Sequence, residues 1–151
     1  MIKINLVCLG DIKEKFYKEA IAEYSKRLTR FCELKITELK ENFDKNPQTA
    51  LKKDEIEIMP HLRGHVIALA IEGKEISSPE LANKIKKLAL TTNEITFLIG
   101  ASNGLSETLK QKANELMSFS KLTFPHQLMR VLFLEQIYRA FTIINNISYH
   151  K

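Results

Sequence analysis

Three stretches of this chain are apolar over the length of a strand, and that continuity restricts the fold more than any other property of the sequence. Residues 65–71 (His-Val-Ile-Ala-Leu-Ala-Ile) and 95–99 (Ile-Thr-Phe-Leu-Ile) lack the polar alternation of a half-solvated strand, and residues 2–9 are β-rich and mostly apolar. A strand that is apolar on both sides needs cover on both sides, as a parallel strand between helical layers has. Helical spacing follows each of them. Phe16, Ala20, Ile21, Tyr24 and Leu28 make one stripe, and Leu81, Ile85, Leu88 and Ala89 make another behind a Ser78 cap and Pro79. Leu109, Ala113, Leu116 and Met117 make a third.

Between these, residues 34–39 alternate imperfectly with charges and predict a less buried strand, and residues 47–59 predict a charged helix. Residues 118–123 read as a short strand or extended loop. Strands and helices that alternate in this way give an α/β fold, a parallel sheet sandwiched by helices and joined by right-handed crossovers, in one domain over residues 1–151. Ligands of such sheets sit beyond the carboxyl ends of the strands. Three loops meet there: Glu72-Gly73, residues 100–104, and the stretch before Pro125.

Pro125 opens a last helix whose apolar positions (Leu128, Val131, Leu132, Leu134, Ile137, Tyr138, Phe141 and Ile144) encircle it. A helix apolar on most sides needs cover on most sides. In a domain this small a second copy can supply it, which predicts a homodimer with this helix in the interface.

Composition narrows the function classes. The net charge is +5 with a pI near 9.2, which permits a polyanionic partner, and residues 118–151 carry Lys121, Arg130, Arg139 and Lys151 against Glu135 alone. Two cysteines, Cys8 and Cys32, are too few for a disulfide framework or a Cys-rich zinc site, so no metal is expected. No stretch reaches the ~20 apolar residues of a membrane span, and the first ten residues lack the apolar run and cleavage site of a signal peptide. The expected location is the cytoplasm, with no membrane partner.

Residues 100–104 (Gly-Ala-Ser-Asn-Gly) follow a strand and precede a helix, where a phosphate nest could form. They lack the Lys and Ser/Thr of a P-loop and do not match G-x-G-x-x-G, which disfavours nucleoside triphosphates and NAD. Two glycines serving a tight turn is the plain alternative. His126 lies in the first turn of the last helix with Arg130 four residues on, hence on one face; a solvated histidine at a helix start is again the plain reading. Glu135 and Arg139 are spaced for a structural ion pair. His61 and His65 flank a turn and read as surface residues. Tyr149, His150 and Lys151 place a phenol, an imidazole and a cation at an end that would ordinarily fray.

Taken together, Phe97-Leu-Ile-Gly100-Ala-Ser-Asn-Gly104-Leu, Leu116-Met-Ser-Phe119-Ser-Lys-Leu-Thr-Phe124-Pro-His126-Gln-Leu-Met-Arg130, Leu134-Glu-Gln-Ile-Tyr-Arg139-Ala-Phe and the terminal Tyr149-His150-Lys151 resemble the RlmH methyltransferases of the SPOUT class. Residues 1–10 and 67–73 agree as well. The resemblance implies a C-terminal trefoil knot, a dimer, and S-adenosylmethionine as the cofactor. It implies methylation of N3 of a pseudouridine in 23S ribosomal RNA, on assembled ribosomes.

Carried over residue by residue, it assigns the cofactor to Leu69, Gly100, Phe119, Ser120, Lys121, Leu122, Thr123 and Phe124, and turns His126, Arg130, Tyr149 and His150 toward the target. Ala101 stands where a glycine is common, and residues 146–148 stand where a glycine and a proline often precede the Tyr-His pair. Asn146 then has to make the left-handed turn. His150, or Tyr149 beside it, would assist removal of the imide proton while Arg130 and Lys151 hold phosphates or the developing charge, across the dimer from the cofactor. Two rivals stay open: a ribosome-binding factor without chemistry, and a ribonuclease with His126 and His150 as acid and base.

Overall fold

In the computed structural model, which describes residues 1–101 and 103–151, five strands form a single parallel sheet. They are β1 (Lys3–Leu9), β2 (Glu33–Leu39), β3 (His65–Glu75), β4 (Glu94–Ile99) and β5 (Glu115–Ser118), in the order β2-β1-β4-β3-β5. Alternation along the central strands sorts side chains to two helical layers. Ile4, Leu6 and Cys8 of β1, with Ile67 and Phe97, pack under α1 (Lys15–Leu28), α3 (Ser78–Leu88) and α5 (His126–Ile144). Val7, Leu9, Ala68 and Leu98 point to the other side, against Ile58 of α2 (Pro47–Ile58) and Leu109 of α4 (Glu107–Lys112). The expected α/β sandwich is the observed one. The weakly alternating β2 lies on the sheet edge.

Burial also sets the thiols: it pushes Cys8 up to about 11 and Cys32 up to about 12, so both stay protonated and inert at neutral pH.

Helix α5 lies between α1 and α3, and its inner residues Phe133, Leu134, Ile137 and Ala140 are fully covered within the chain. Leu128, Val131 and Leu132 are only half-covered. At its far end Asn146 takes φ 55, and the Ile147 amide reaches back to the Thr142 carbonyl at 2.8 Å. That left-handed turn reverses the chain, as expected of Asn146, and points the tail back along the helix.

Four local expectations differ from what is observed. The N-cap of α3 is Ser77: its hydroxyl accepts from the Glu80 amide while the Glu80 carboxylate accepts from the Ser77 amide at 2.6 Å. Helix α4 is a turn shorter than its stripe, because Asn114 locks onto β3, its amide donating to the Val66 carbonyl (2.8 Å) and its side chain accepting from the Val66 amide (2.7 Å). Leu116 and Met117 are therefore strand residues of β5, and the segment after residue 118 is loop. His65 is half-buried on Glu115 at 2.7 Å, with Lys84 on the other carboxylate oxygen.

Finally, β3 does not end at Gly73. Both Leu69 and Lys74 register against Met117, so residues 70–73 bulge from the ladder. Gly73 permits this, since a Cβ there would lie 2.6 Å from the Met117 nitrogen.

Candidate functional site

The bulge opens a cavity at the carboxyl ends of β3 and β4. It encloses about 550 Å³ between residues 69–72, the turn that follows β4, and residues 118–126. That volume is in the range of small-molecule and cofactor sites. The last wall is held from within: the Ser118 hydroxyl donates to the Ser120 carbonyl at 3.0 Å, and the Ser120 hydroxyl accepts from the Leu122 amide at 2.9 Å. Phe119 stacks on Phe133 of α5 with ring centroids 6.4 Å apart, fixing that wall to the core.

Seven of the eight residues assigned to a cofactor line this space: Leu69, Gly100, Phe119, Ser120, Leu122, Thr123 and Phe124. Lys121 is exposed and is not among its walls. His126 lines the cavity too, from the first turn of α5. Ser102 lies outside the described residues. The walls are mostly apolar side chains and backbone. Among the described residues, the only ionisable groups on these walls besides His126 are Glu72 and Lys110, which pair at 2.6 Å. The Lys110 hydrogen bond holds Glu72 below the usual carboxylate range.

Gly100 is required for steric reasons. A Cβ on it would meet the Gly104 carbonyl oxygen at 2.6 Å, and that neighbour is backbone, so the turn itself would have to move. Gly100→Ala should weaken binding of a ligand in this cavity at least about tenfold and cost about 1–3 kcal/mol of stability. Titration calorimetry and urea unfolding would show both, and unchanged affinity would mean the turn does not touch the ligand.

Arg130 is not where the sequence suggested. Its face of α5 turns inward, the residue is 1% exposed, and its guanidinium spans the ends of two strands. One terminal nitrogen donates to Glu38 at 2.9 Å; the other donates to the Leu9 and Gly10 carbonyls at 2.7 and 2.8 Å. A side chain so enclosed cannot hold RNA phosphates. It knits β1, β2 and α5 together instead. Local sequence carries no sign of this, because Glu38 is 92 positions away.

The tail is anchored rather than frayed. Glu135 accepts from Arg139 Nε at 2.9 Å, the predicted ion pair, and with its other oxygen from the Tyr149 hydroxyl at 2.8 Å. Arg139 also lies over the Tyr149 ring at 4.7 Å and contacts His150 Nδ1 at 3.2 Å. Because arginine can only donate, that contact makes Nδ1 the acceptor and puts the imidazole proton on Nε2. Tyr149 is further wedged edge-on against Tyr138, 5.0 Å away.

Burial, then the Glu135 hydrogen bond, pushes the Tyr149 phenol up to about 12. A phenol that keeps its proton and donates it to Glu135 is not a base at neutral pH. Since the folded value lies above the unfolded 10.0, the docked tail is stabilised fully below pH about 10 and loses that contribution as pH rises toward 12. Ultraviolet titration should show one late phenol, which Glu135→Gln brings down toward 10; a Tyr149 titrating normally in both proteins would contradict the docked tail.

A cavity of cofactor size at the strand ends of a parallel sheet, together with an anchored polar tail, is the arrangement of an α/β protein that binds a small molecule. A family model described as "Predicted SPOUT methyltransferase" matches residues 2–150. "Ribosomal RNA large subunit methyltransferase H" of Caldicellulosiruptor saccharolyticus is 46% identical over 153 residues, covering 98% of this chain and 99% of that one. The proteins of that name from Fusobacterium nucleatum and Bifidobacterium adolescentis are 44% and 49% identical, each alignment covering 99% of this chain and 100% of theirs. In fold, a probable methylase family protein from Haemophilus influenzae is similar, with a TM-score of 0.56 at 13% identity over 99% of this chain and 70% of that one. The chain belongs to the SPOUT methyltransferases, in the ribosomal RNA large subunit methyltransferase H family.

Proposed function

We propose that the chain methylates N3 of a pseudouridine in 23S ribosomal RNA on assembled ribosomes, in the cytoplasm, with S-adenosylmethionine in the cavity lined by residues 69–72, 100, 101, 104, 105, 118–120 and 122–126. The cavity is the observation that carries this reading. Its walls are mostly apolar and backbone, with one acid and no unpaired lysine or arginine among the described residues, which suits a sulfonium nucleoside without phosphates better than a nucleotide. When bound, the cofactor supplies an electrophilic methyl group. The glycine turn with Phe119, Ser120, Leu122, Thr123 and Phe124 would hold it in place, and orientation alone accelerates such a transfer greatly.

The target's imide proton is largely in place at neutral pH, so the protein has to help remove it. With Tyr149 donating to Glu135, His150 is the tail group left for that work. Its Nδ1 lone pair faces Arg139, so binding of RNA must shift the arginine, which then stands ready to hold the developing imide charge. Arg139 thus takes the electrostatic part first given to Arg130, while Lys151 contacts phosphate.

One chain does not bring these parts together. At about 1.5 Å per residue, Arg139 lies about 20 Å along α5 from His126 at the cavity. The tail of one protomer and the cavity of another would share a target, which supports the homodimer, with the half-covered side of α5 (Leu128, Val131, Leu132) in the interface. The same separation weighs against a ribonuclease pairing His126 with His150.

Labelled S-adenosylmethionine, unmodified ribosomes and mass spectrometry of the large-subunit RNA test the function. Label on N3 of one pseudouridine is expected, and unlabelled RNA would overturn the reading. Sedimentation at micromolar protein should give twice 17.4 kDa, and a monomer would remove the shared site.

A further inference from the structure

The described residues put two opposite charges, besides His126, on the wall of the cavity, and the assignment of residues 69, 100 and 119–124 leaves both out. Glu72 stands on the β3 bulge, its side chain 48% exposed at the rim, and Lys110 of α4 is 19% exposed beside it. Their 2.6 Å contact ties the bulge to the helix across the cavity edge, and Lys110 also reaches Glu107 at 3.4 Å.

We propose that Glu72 recognises the ribose of the cofactor, its carboxylate accepting from the vicinal hydroxyls, with Lys110 as the positioning residue that aims it. The proposal rests on the reading of the cavity as the S-adenosylmethionine site. A carboxylate offers about four acceptor sites, and Lys110 and the residue's own backbone amide account for two. Glu72 stands among the residues that line the cavity, whose other walls are mostly apolar groups and backbone.

Lys110 decides which donor they suit. A carboxylate already neutralised at 2.6 Å attracts a second cation weakly, so the ammonium and sulfonium gain little from it, but it remains a strong acceptor for neutral O–H groups. In dinucleotide-binding α/β sheets, too, an acid near the strand ends accepts from ribose hydroxyls. The bulge also makes the residue available: in a regular ladder, position 72 would be paired alongside β5 and not set at the cavity rim.

Calorimetry on the full chain with two probes, S-adenosylmethionine and its 2′-deoxyribose analogue, tests this. The wild type should prefer the natural cofactor by about 10- to 100-fold, the factor a hydrogen bond to a charged group supplies. Glu72→Ala should bind both probes equally, near the wild type's affinity for the deoxy analogue. Lys110→Met should lose part of the preference and Lys110→Arg should restore it, which a merely structural lysine would not do. Because Glu72 is half-exposed, the variant should melt with the wild type, and the melting curve is recorded alongside. If Glu72→Ala prefers the natural cofactor as strongly as the wild type does, the proposal is wrong while the site stands. If the wild type binds neither probe, the cofactor reading itself falls.

Discussion

Replacing Arg130 with alanine should lower the unfolding free energy by about 3–5 kcal/mol, the combined cost of two unpaired backbone carbonyls and of the volume left empty. The substitution strands the Leu9 and Gly10 carbonyls, which Arg130 satisfies from within the core, and empties volume next to an existing cavity of about 330 Å³ under α1. Glu38, 43% exposed, can be rehydrated and adds less to the loss. For a chain of this size the melting temperature should fall by about 2–4 °C per kcal/mol, hence by about 6–20 °C. Lysine should recover only part, because an ammonium cannot serve one carboxylate and two carbonyls in a plane. Urea and thermal unfolding decide the matter. Stability within about 1 kcal/mol of the wild type, with weaker and less salt-dependent RNA binding, would return Arg130 to the RNA face.

The second large effect is on chemistry. His150→Ala should slow single-turnover methyl transfer by about 10²–10⁴, the usual worth of a positioned acid–base group. Cofactor affinity should not change, since His150 is held by Arg139 well away from the cavity of its own chain. Glu135→Gln should slow the same step less, by loosening both Arg139 and Tyr149 without removing the imidazole. Rapid-quench measurement with the protein in excess over ribosomes separates the chemical step from release. A normal single-turnover rate in His150→Ala would exclude the residue as base.

How much of this was legible beforehand follows the range of the interactions. Strand positions were readable because burial on two faces is written locally, as in residues 65–71 and 95–99. Helix ends were less so. Residues 113–117 carry a helical stripe, and only the bonds between Asn114 and Val66 convert it into β5. Both residues of the capping box at Ser77 and Glu80 were visible, yet Ser78 beside Pro79 offered an equally good start.

The cavity residues came from resemblance, and the structure gathers all but Lys121 around one space. Residue identity could not separate Arg130 from Arg139. They are nine positions apart on one helix and equally basic, but one turns into the sheet and the other toward the tail. What differs is the partner, Glu38 against Glu135, and only the second lies within reach of a sequence rule. The bulge at residues 70–73, and with it Glu72, depends on how Met117 registers against both Leu69 and Lys74. No pattern within β3 announces that.

That bulge has a bearing on how long the molecule survives. The strand that yields one cavity wall is paired on either side, with β4 and β5, so an occupant of the cavity braces an interior strand of the sheet as well as the loops around it. A small molecule present at a hundred times its dissociation constant adds about 2.7 kcal/mol against global unfolding. Where proteases sample the opened chain, such a reserve alters turnover several-fold. The lifetime of this protein in a starved cell is then tied to the supply of whatever fills the cavity, and scarcity of that metabolite would thin the population of the catalyst as well as idle it.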